Sequence, residues 1–316
     1  MILLGTYRGW LWEETTMFEL THCTVCPRKC GANRIKHAGI CGAGNTITIA
    51  RAALHEWEEP CLSGTKGSGT IFFSGCSLQC CFCQNAQISH DFFGKEITPD
   101  RFAEICFELK EKGAHNINLV SASHFIPLIL PILREIKPKL GLPIVFNSGG
   151  YESVETLQEL EGIVDIYLPD FKFMSSQLAE EYCNAPDYPQ VAMSAILEMY
   201  RQIPKPILNR DGIMQRGLII RHMVMPNAMH DSMKVLDWIA KNLDIDRVFV
   251  SLMSQYTPCY QSQLHPKINR RISTYEYHKV YQHLLSLGIQ QGYAQEKSSA
   301  KEEYIPPFDL TGVEKQ

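Results

Sequence analysis

This chain has no apolar run long enough to cross a bilayer and no charged leader ahead of a short apolar stretch. Residues 1–16 are aromatic and apolar, but Glu13 and Glu14 follow at once, so neither a secretory signal nor a membrane anchor is expected. Met17 is an alternative start, which would make 1–16 an N-terminal extension. A basic excess is missing too. Thirty Lys and Arg against 34 Asp and Glu leave a formal charge of −4, which gives no electrostatic face for nucleic acid. No internal repeat or low-complexity tract occurs, and 45% hydrophobic with 20% charged residues excludes a disordered chain. The expectation is a folded cytoplasmic protein with no nucleic-acid or membrane partner.

Cysteine, in contrast, is abundant. Twelve occur in 316 residues, although a chain this long buries enough core to need no disulfide staple. Without an export signal they read as thiols kept free for metals or catalysis. Their spacing is uneven: Cys23, Cys26, Cys30 and Cys41 form one group, and Cys76, Cys80, Cys81 and Cys83 another. Cys61, Cys106, Cys183 and Cys259 are scattered and read as small buried hydrophobes.

From residue 68 onward the chain alternates short β-branched runs with longer amphipathic stretches. Strands are predicted at 70–74, 117–121, 144–147, 164–168, 218–224 and 247–252. Each is apolar on successive residues, as a parallel strand buried on both faces must be. Helices are predicted at 98–112, 126–137, 154–161, 175–183, 191–202, 230–241 and 274–287; Thr98-Pro99-Asp100 opens the first and Gly113 ends it. The class is α/β. The six βα units suit a partial (β/α)6 TIM-like barrel, with an open doubly wound sheet as the alternative. A small N-terminal cysteine-rich metal-binding segment precedes it. The expected division is 1–16 extension, 17–66 cysteine-rich segment, 67–295 core and 296–316 tail. In either architecture the site lies at the C-terminal ends of the strands.

The second cysteine group follows the first predicted strand directly. Three thiolates spaced C-x3-C-x2-C do not complete a four-ligand site, so one metal position is left for something else, as at a catalytic centre. A redox pair of Cys80 and Cys83 is the rival reading, but it leaves Cys76 idle. Cys81 lies between ligands and should point away. The first group, C-x2-C-x3-C-x10-C, offers four thiolates in a stretch too short for its own core, so a metal would supply its fold. A second iron–sulfur cluster and a tetrahedral zinc both fit.

Cys76-x3-Cys80-x-Phe82-Cys83 after strand one resembles the signature of the radical S-adenosylmethionine (SAM) superfamily. More closely, 23–313 resembles uncharacterised iron–sulfur proteins related to pyruvate formate-lyase activating enzyme. The matching pieces are Cys23-Thr-Val-Cys26-Pro27-Arg28-Lys29-Cys30-Gly31, Gly67-Ser-Gly-Thr-Ile-Phe-Phe-Ser-Gly-Cys76, Cys83-Gln84-Asn85, Asn116-Ile-Asn-Leu-Val, Ile220-Arg221-His222 and Tyr293-Ala-Gln. The resemblance implies a [4Fe–4S] cluster on Cys76, Cys80 and Cys83, with the amine and carboxylate of SAM chelating the fourth iron. One electron from the reduced cluster would then release a 5′-deoxyadenosyl radical that takes a hydrogen atom from substrate. It also implies a flavodoxin or ferredoxin as electron donor, and a glycyl radical enzyme or another protein, peptide or small molecule as substrate. A two-cluster electron-transfer protein without SAM is the competing class.

The same resemblance puts Phe82 near the adenine, with plain packing as the alternative. Similar enzymes often hold the methionyl amine with Gly-Gly-Glu after strand two; this chain has Ser121-Ala122-Ser123-His124 there, so Ser121 and Ser123 are the candidates. Gly149-Gly150-Tyr151-Glu152 follows strand three and reads as a turn. Asn147 and Asp170 end strands three and four. Asp170 is the expected neighbour of the SAM carboxylate, Lys172 its charge partner, and Arg221 a further carboxylate contact. A salt bridge closing the barrel mouth is the alternative for these charges. His124 and His222 read as strand caps, with a proton relay as the alternative.

Overall fold

The computed structural model describes residues 18–203, 205–295 and 306–315. Its strands are β1 Ile47–His55, β2 Ser68–Phe73, β3 Lys95–Ile97, β4 Ile117–Val120, β5 Ile144–Ser148, β6 Ile166–Pro169, β7 Ile207–Leu208, β8 Met214–Met223, β9 Phe249–Met253 and β10 Gly292–Ala294. They form one sheet in the order β10-β9-β8-β6-β5-β4-β2-β1-β3, with β7 hanging off β8. From β2 through β10 every neighbouring pair on this path is parallel, and β1 pairs antiparallel with both β2 and β3. The two ends, β10 and β3, do not pair with each other, so the architecture is α/β with a partial, unclosed barrel.

The helices are α1 Pro60–Ser63, α2 Ala86–Ser89, α3 Pro99–Glu111, α4 Ile126–Leu140, α5 Val154–Gln158, α6 Ser176–Cys183, α7 Tyr188–Gln202, α8 Met229–Asn242 and α9 Thr274–Ser286. Their sequences explain their ends. The Thr98 side chain accepts from Arg101 N and Pro99 opens α3, while Ser273 and Glu276 form a reciprocal capping box on α9. Among the described residues no helix is long and apolar enough to cross a membrane.

All six expected core strands are present, and β4, β5, β6 and β9 are buried along their whole length. Covered by helices on one face and by the barrel interior on the other, they have no solvent face on which to alternate. The strands that sequence reasoning missed are peripheral. β10 is only three residues long, too short to carry a pattern, and β1 and β3 extend the sheet antiparallel beyond the barrel. α4 runs to Leu140, past the expected end at 137, with Pro131 and Pro138 inside it, each removing one i→i−4 hydrogen bond that the burial of the helix's apolar face outweighs. The tail lies along β1 through Ala52 N to Thr311 O and Leu310 N to Ala50 O.

Residues 23–44 have no regular element. They are folded by turns (Cys23 N to Ala32 O, Gly31 N to Cys23 O, Gly39 N to Ala43 O) around the buried Arg34, which donates to Gly44 O and His124 O. Arg28 reaches Ser77 O, and Val25 O accepts from Ser153 and Thr156, so the segment is stitched to the ends of the barrel strands.

Candidate active site at the mouth of the barrel

Beyond β2 the chain turns through Ser74 and Gly75 into Cys76. Gly75 has φ +85°, and a Cβ there would fall 2.1 Å from Cys41 O, so only glycine lets this loop cross the N-terminal segment so closely. At the crossing the Cys76 N–H donates to Cys41 O at 3.2 Å. His124, 2% exposed, bonds Ser74 O through Nε2 at 2.8 Å and braces the turn; burial holds it neutral, its pKa lowered to about 4.

Cys76, Cys80 and Cys83 line one cavity of about 930 Å³. Cys81, whose amide is pinned by Tyr182 O, faces a separate recess with Gln79, His90 and Tyr260. Cys83 Sγ lies 3.1 Å from Ser89 Oγ, and Cys80 Sγ lies 3.3 Å from the sulfur of Cys183 at the end of α6. Cys259 Sγ donates to Phe82 O at 3.2 Å. Linear spacing gave no sign that these two scattered cysteines approach the motif, because only the packing of α6 and of the 254–262 loop brings them there. All three motif thiols are pushed above their ordinary range. Burial dominates for Cys76 and Cys83, and the hydrogen bond to Cys183 for Cys80.

Arg221 is the hub of the opposite wall. Its Nε donates to Asp170 Oδ1 at 2.9 Å and its Nη2 to Asn147 Oδ1 at 2.6 Å, with Glu58 Oε2 3.5 Å from Nη1. Lys172 Nζ meets the other Asp170 oxygen at 2.6 Å. Arg221 and Lys172 overcome burial to hold the Asp170 carboxyl below its ordinary range. Lys172 and Arg221 thus share the two oxygens of Asp170. Ser121, Asn147, Asp170, Lys172, Arg221 and Phe82 all line the cavity with the three thiols. Ser121 holds φ +57°, a strained backbone of the kind that collects at functional sites. Phe82 is edge-on to Phe173 and tilted against Tyr256.

Ser123 lies apart from the cavity lining. Its hydroxyl donates to Glu152 Oε1 at 2.9 Å, and Ser148 donates to the other oxygen at 2.9 Å. The stretch read as a turn therefore plants a buried carboxyl between the β4 and β5 loops, its pKa raised by burial to about 7. His222 caps a strand, its Nδ1 bonded to Phe171 O at 2.6 Å. Sequence reasoning missed Glu58 and Glu59 altogether. They follow β1, line the inner part of the cavity, and are raised by burial against the pull of Arg221. Nothing local separates Glu58-Glu59-Pro60 from a solvated acidic pair.

The N-terminal thiols also gather. Cys26 is raised by burial to about 12, with the charges of Cys41, Cys23 and Cys30 adding, and a Cβ on Gly39 would meet the sulfurs of Cys30 at 3.4 Å and Cys41 at 3.6 Å. Among the described residues no three His, Cys, Asp or Glu side chains converge tightly enough for a single metal ion. Around one such ion with bonds of about 2.3 Å the sulfurs stand under about 4 Å apart. A four-iron cube spreads its thiolate ligands wider than a single ion does. Three thiols, Cys80 buried and Cys76 and Cys83 half-buried, share one cavity of cofactor size with a carboxylate–guanidinium–ammonium group, a donor set that fits a [4Fe–4S] cluster with SAM.

An unclosed parallel barrel with three thiols on the loop after its first parallel strand presents the incomplete ligand set of an iron–sulfur centre. Residues 63–181 match the model of the 4Fe-4S single cluster domain. The uncharacterized protein MJ0674 of Methanocaldococcus jannaschii is 34% identical over 264 residues, which cover 81% of this chain and 71% of that protein. The chain belongs to one family with that methanogen protein. The matched domain is one that holds a single [4Fe–4S] cluster.

Solved structures similar in fold include Streptococcus suis SuiB bound to its precursor peptide SuiA, with 13% identity, TM-score 0.48, and 70% of this chain and 46% of that one covered. A domain of pyruvate-formate lyase-activating enzyme from Bacteroides vulgatus ATCC 8482 gives 16% identity and TM-score 0.38, covering 53% and 89%. The chain thus spans under half the length of SuiB.

Proposed function

We propose that this chain is a radical SAM enzyme, with a [4Fe–4S] cluster and SAM as its cofactors, that abstracts a hydrogen atom from a substrate seated in the cavity shared by the three thiols and the Arg221 group. The observation that carries the proposal is that Cys76, Cys80 and Cys83 share one cavity with the Asp170–Arg221–Lys172 group. In the proposed site the three thiols hold the cluster, and Ser121, Asn147, Asp170, Lys172 and Arg221 surround SAM, with Phe82 against its adenine. When bound and reduced, this cofactor pair supplies the radical that takes the hydrogen. The chain's own residues supply the rest. Arg221 keeps Asp170 ionised, Phe82, Phe173 and Tyr256 wall off water on one side, and His124 and Gly75 fix the ligand loop. Ser123 supports from behind, through Glu152.

A cytoplasmic setting suits twelve free cysteines, and a flavodoxin or ferredoxin is the proposed electron donor. Cys23, Cys26, Cys30 and Cys41 are proposed as a second metal site. Its contact with the first is direct, since Cys41 O accepts from Cys76 N, which favours a second iron–sulfur cluster over a zinc. Activation of a glycyl radical enzyme is the second reading. The sheet edge favours it, because among the described residues β10 pairs with β9 alone and the cavity reaches its Gly292, Tyr293 and Ala294, where a protein loop can approach.

The test is anaerobic. Reconstituted, dithionite-reduced protein is expected to convert SAM to 5′-deoxyadenosine, and Cys80→Ala to lose this. Absence of cleavage by the intact, iron-loaded protein sinks the proposal. A glycyl-radical EPR signal on mixing with a glycyl radical enzyme would establish the second reading, and iron analysis giving about eight atoms per chain would establish two clusters.

A further inference from the structure

The inner end of the cavity has more acid than it can neutralise. Among the described residues that line the cavity, Glu56, Glu58, Glu59 and Asp170 stand against two cations, Arg221 and Lys172, and Lys172 is committed to Asp170. Glu58 is well satisfied: Oε1 accepts from Asn118 Nδ2 at 3.1 Å and Asn147 Nδ2 at 3.3 Å, and Oε2 lies 3.5 Å from Arg221. Glu59 is not. It is 8% exposed, Ser251 supports the carboxylate, and Oε2 is buried with no hydrogen-bond partner. Asn118 Oδ1, beside Glu58, is buried and partnerless as well.

A buried carboxylate oxygen with no partner costs free energy, so a fold keeps one where something else supplies the donor. Nearby groups do not supply it. Ser251 stands opposite Arg221 in the β8–β9 register, and the Arg221 guanidinium is already divided among Asp170, Asn147 and Glu58. Tyr293 lines the same part of the cavity, but its hydroxyl is directed at Cys61. The unfilled requirement is for a positive charge carrying at least one N–H.

We propose that the Glu58–Glu59 end of the cavity is a substrate subsite that receives a protonated amine or guanidinium, so that the hydrogen-losing substrate is a cation whose charged end is anchored at Glu59 and whose body extends toward the three thiols. The subsite rests on the radical SAM reading for its purpose, but its binding chemistry stands on Glu59 alone. The body of the substrate lies between Glu59 and the cluster loop, because both line one continuous cavity. A neutral substrate of the same shape leaves Glu59 Oε2 unpaired and is discriminated against.

The experiment uses the full chain, anaerobically reconstituted and loaded with SAM, and measures equilibrium dialysis of n-butylguanidinium against its neutral near-isostere n-butylurea. The cation is expected to bind about tenfold or more tightly than the urea, the scale of one charge-assisted bond. Glu59→Gln is expected to remove that preference and Glu59→Asp to restore part of it. Equal binding of the two probes, absence of binding by both, or an undiminished preference in Glu59→Gln overturns the proposal. Thermal melting separates this role from a structural one. Glu59→Gln is expected to raise the melting temperature by relieving an unpaired carboxylate, and a clear fall would show that Glu59 holds the fold instead. N-acetyl-argininamide, run in parallel, tells whether the cation arrives on a peptide or on a small molecule. The two proposals fail separately. If wild type cleaves SAM without preferring the cation, only the subsite is lost; if it prefers the cation without cleaving SAM, only the reaction is lost.

Discussion

The two four-cysteine groups have nearly the same composition and opposite surroundings. Cys76, Cys80 and Cys83 stand on a loop that leaves the barrel and open onto a large cavity, with Cys81 turned away. Cys23, Cys26, Cys30 and Cys41 are wrapped by turns around the buried Arg34, and none of them lines that cavity. The first group sits on a scaffold that stands without it, whereas the second group helps make its own scaffold. Removing a thiol should therefore cost chemistry in one and structure in the other.

The largest effect tests that contrast directly. Cys80→Ala is expected to abolish 5′-deoxyadenosine formation while the melting temperature stays near wild type. Cys26→Ala is expected to lower the melting temperature and metal content while leaving residual cleavage. A Cys26→Ala protein as stable as wild type with its full metal content breaks the comparison. Next in size, Arg34→Met strips the donors from Gly44 O and His124 O and should destabilise the fold by about 3 kcal/mol, read by chemical denaturation. An effect within 0.5 kcal/mol, roughly that of an ordinary surface change, would mean that the segment is held by its metal rather than by Arg34.

On the cavity side, Asp170→Asn frees Arg221 and Lys172 from their shared carboxylate and should weaken SAM binding about tenfold by equilibrium dialysis. The smallest effect is a pH dependence. His222 is buried with its pKa lowered from 6.5 to about 4, so the unfolded chain takes up its proton first as pH falls. Its contribution to stability is present above pH 6.5 and is lost on acidification toward pH 4. His222→Asn should flatten the stability profile across that window, and an unchanged slope would assign the acid sensitivity elsewhere.

Much of the fold was legible because buried parallel strands write themselves as unbroken β-branched runs. β4 and β5 were found this way, and the Thr98–Pro99 cap marked the start of α3. β1 and β3 were not found: β1 lies between β2 and β3 but is buried without a clean alternation, and β3 is only three residues long. In the site, Asp170, Lys172 and Arg221 were legible as charges at strand ends, where burial demands partners. Ser123 was read one step too close: it faces Glu152, because the chain turns back into a short helical turn after Ser121.

By itself the sequence determined the ligand loop. Three cysteines within eight residues after a strand are a local arrangement, set by bond lengths and the direction of one chain. What surrounds that loop was decided only by tertiary structure. Cys183 lies beside Cys80 across 103 residues, Cys41 O accepts the Cys76 amide, and Glu59 is left with a bare oxygen inside the barrel. Each of these depends on where a distant segment packs. A carboxylate becomes costly, and so informative, only once the fold has taken its water away.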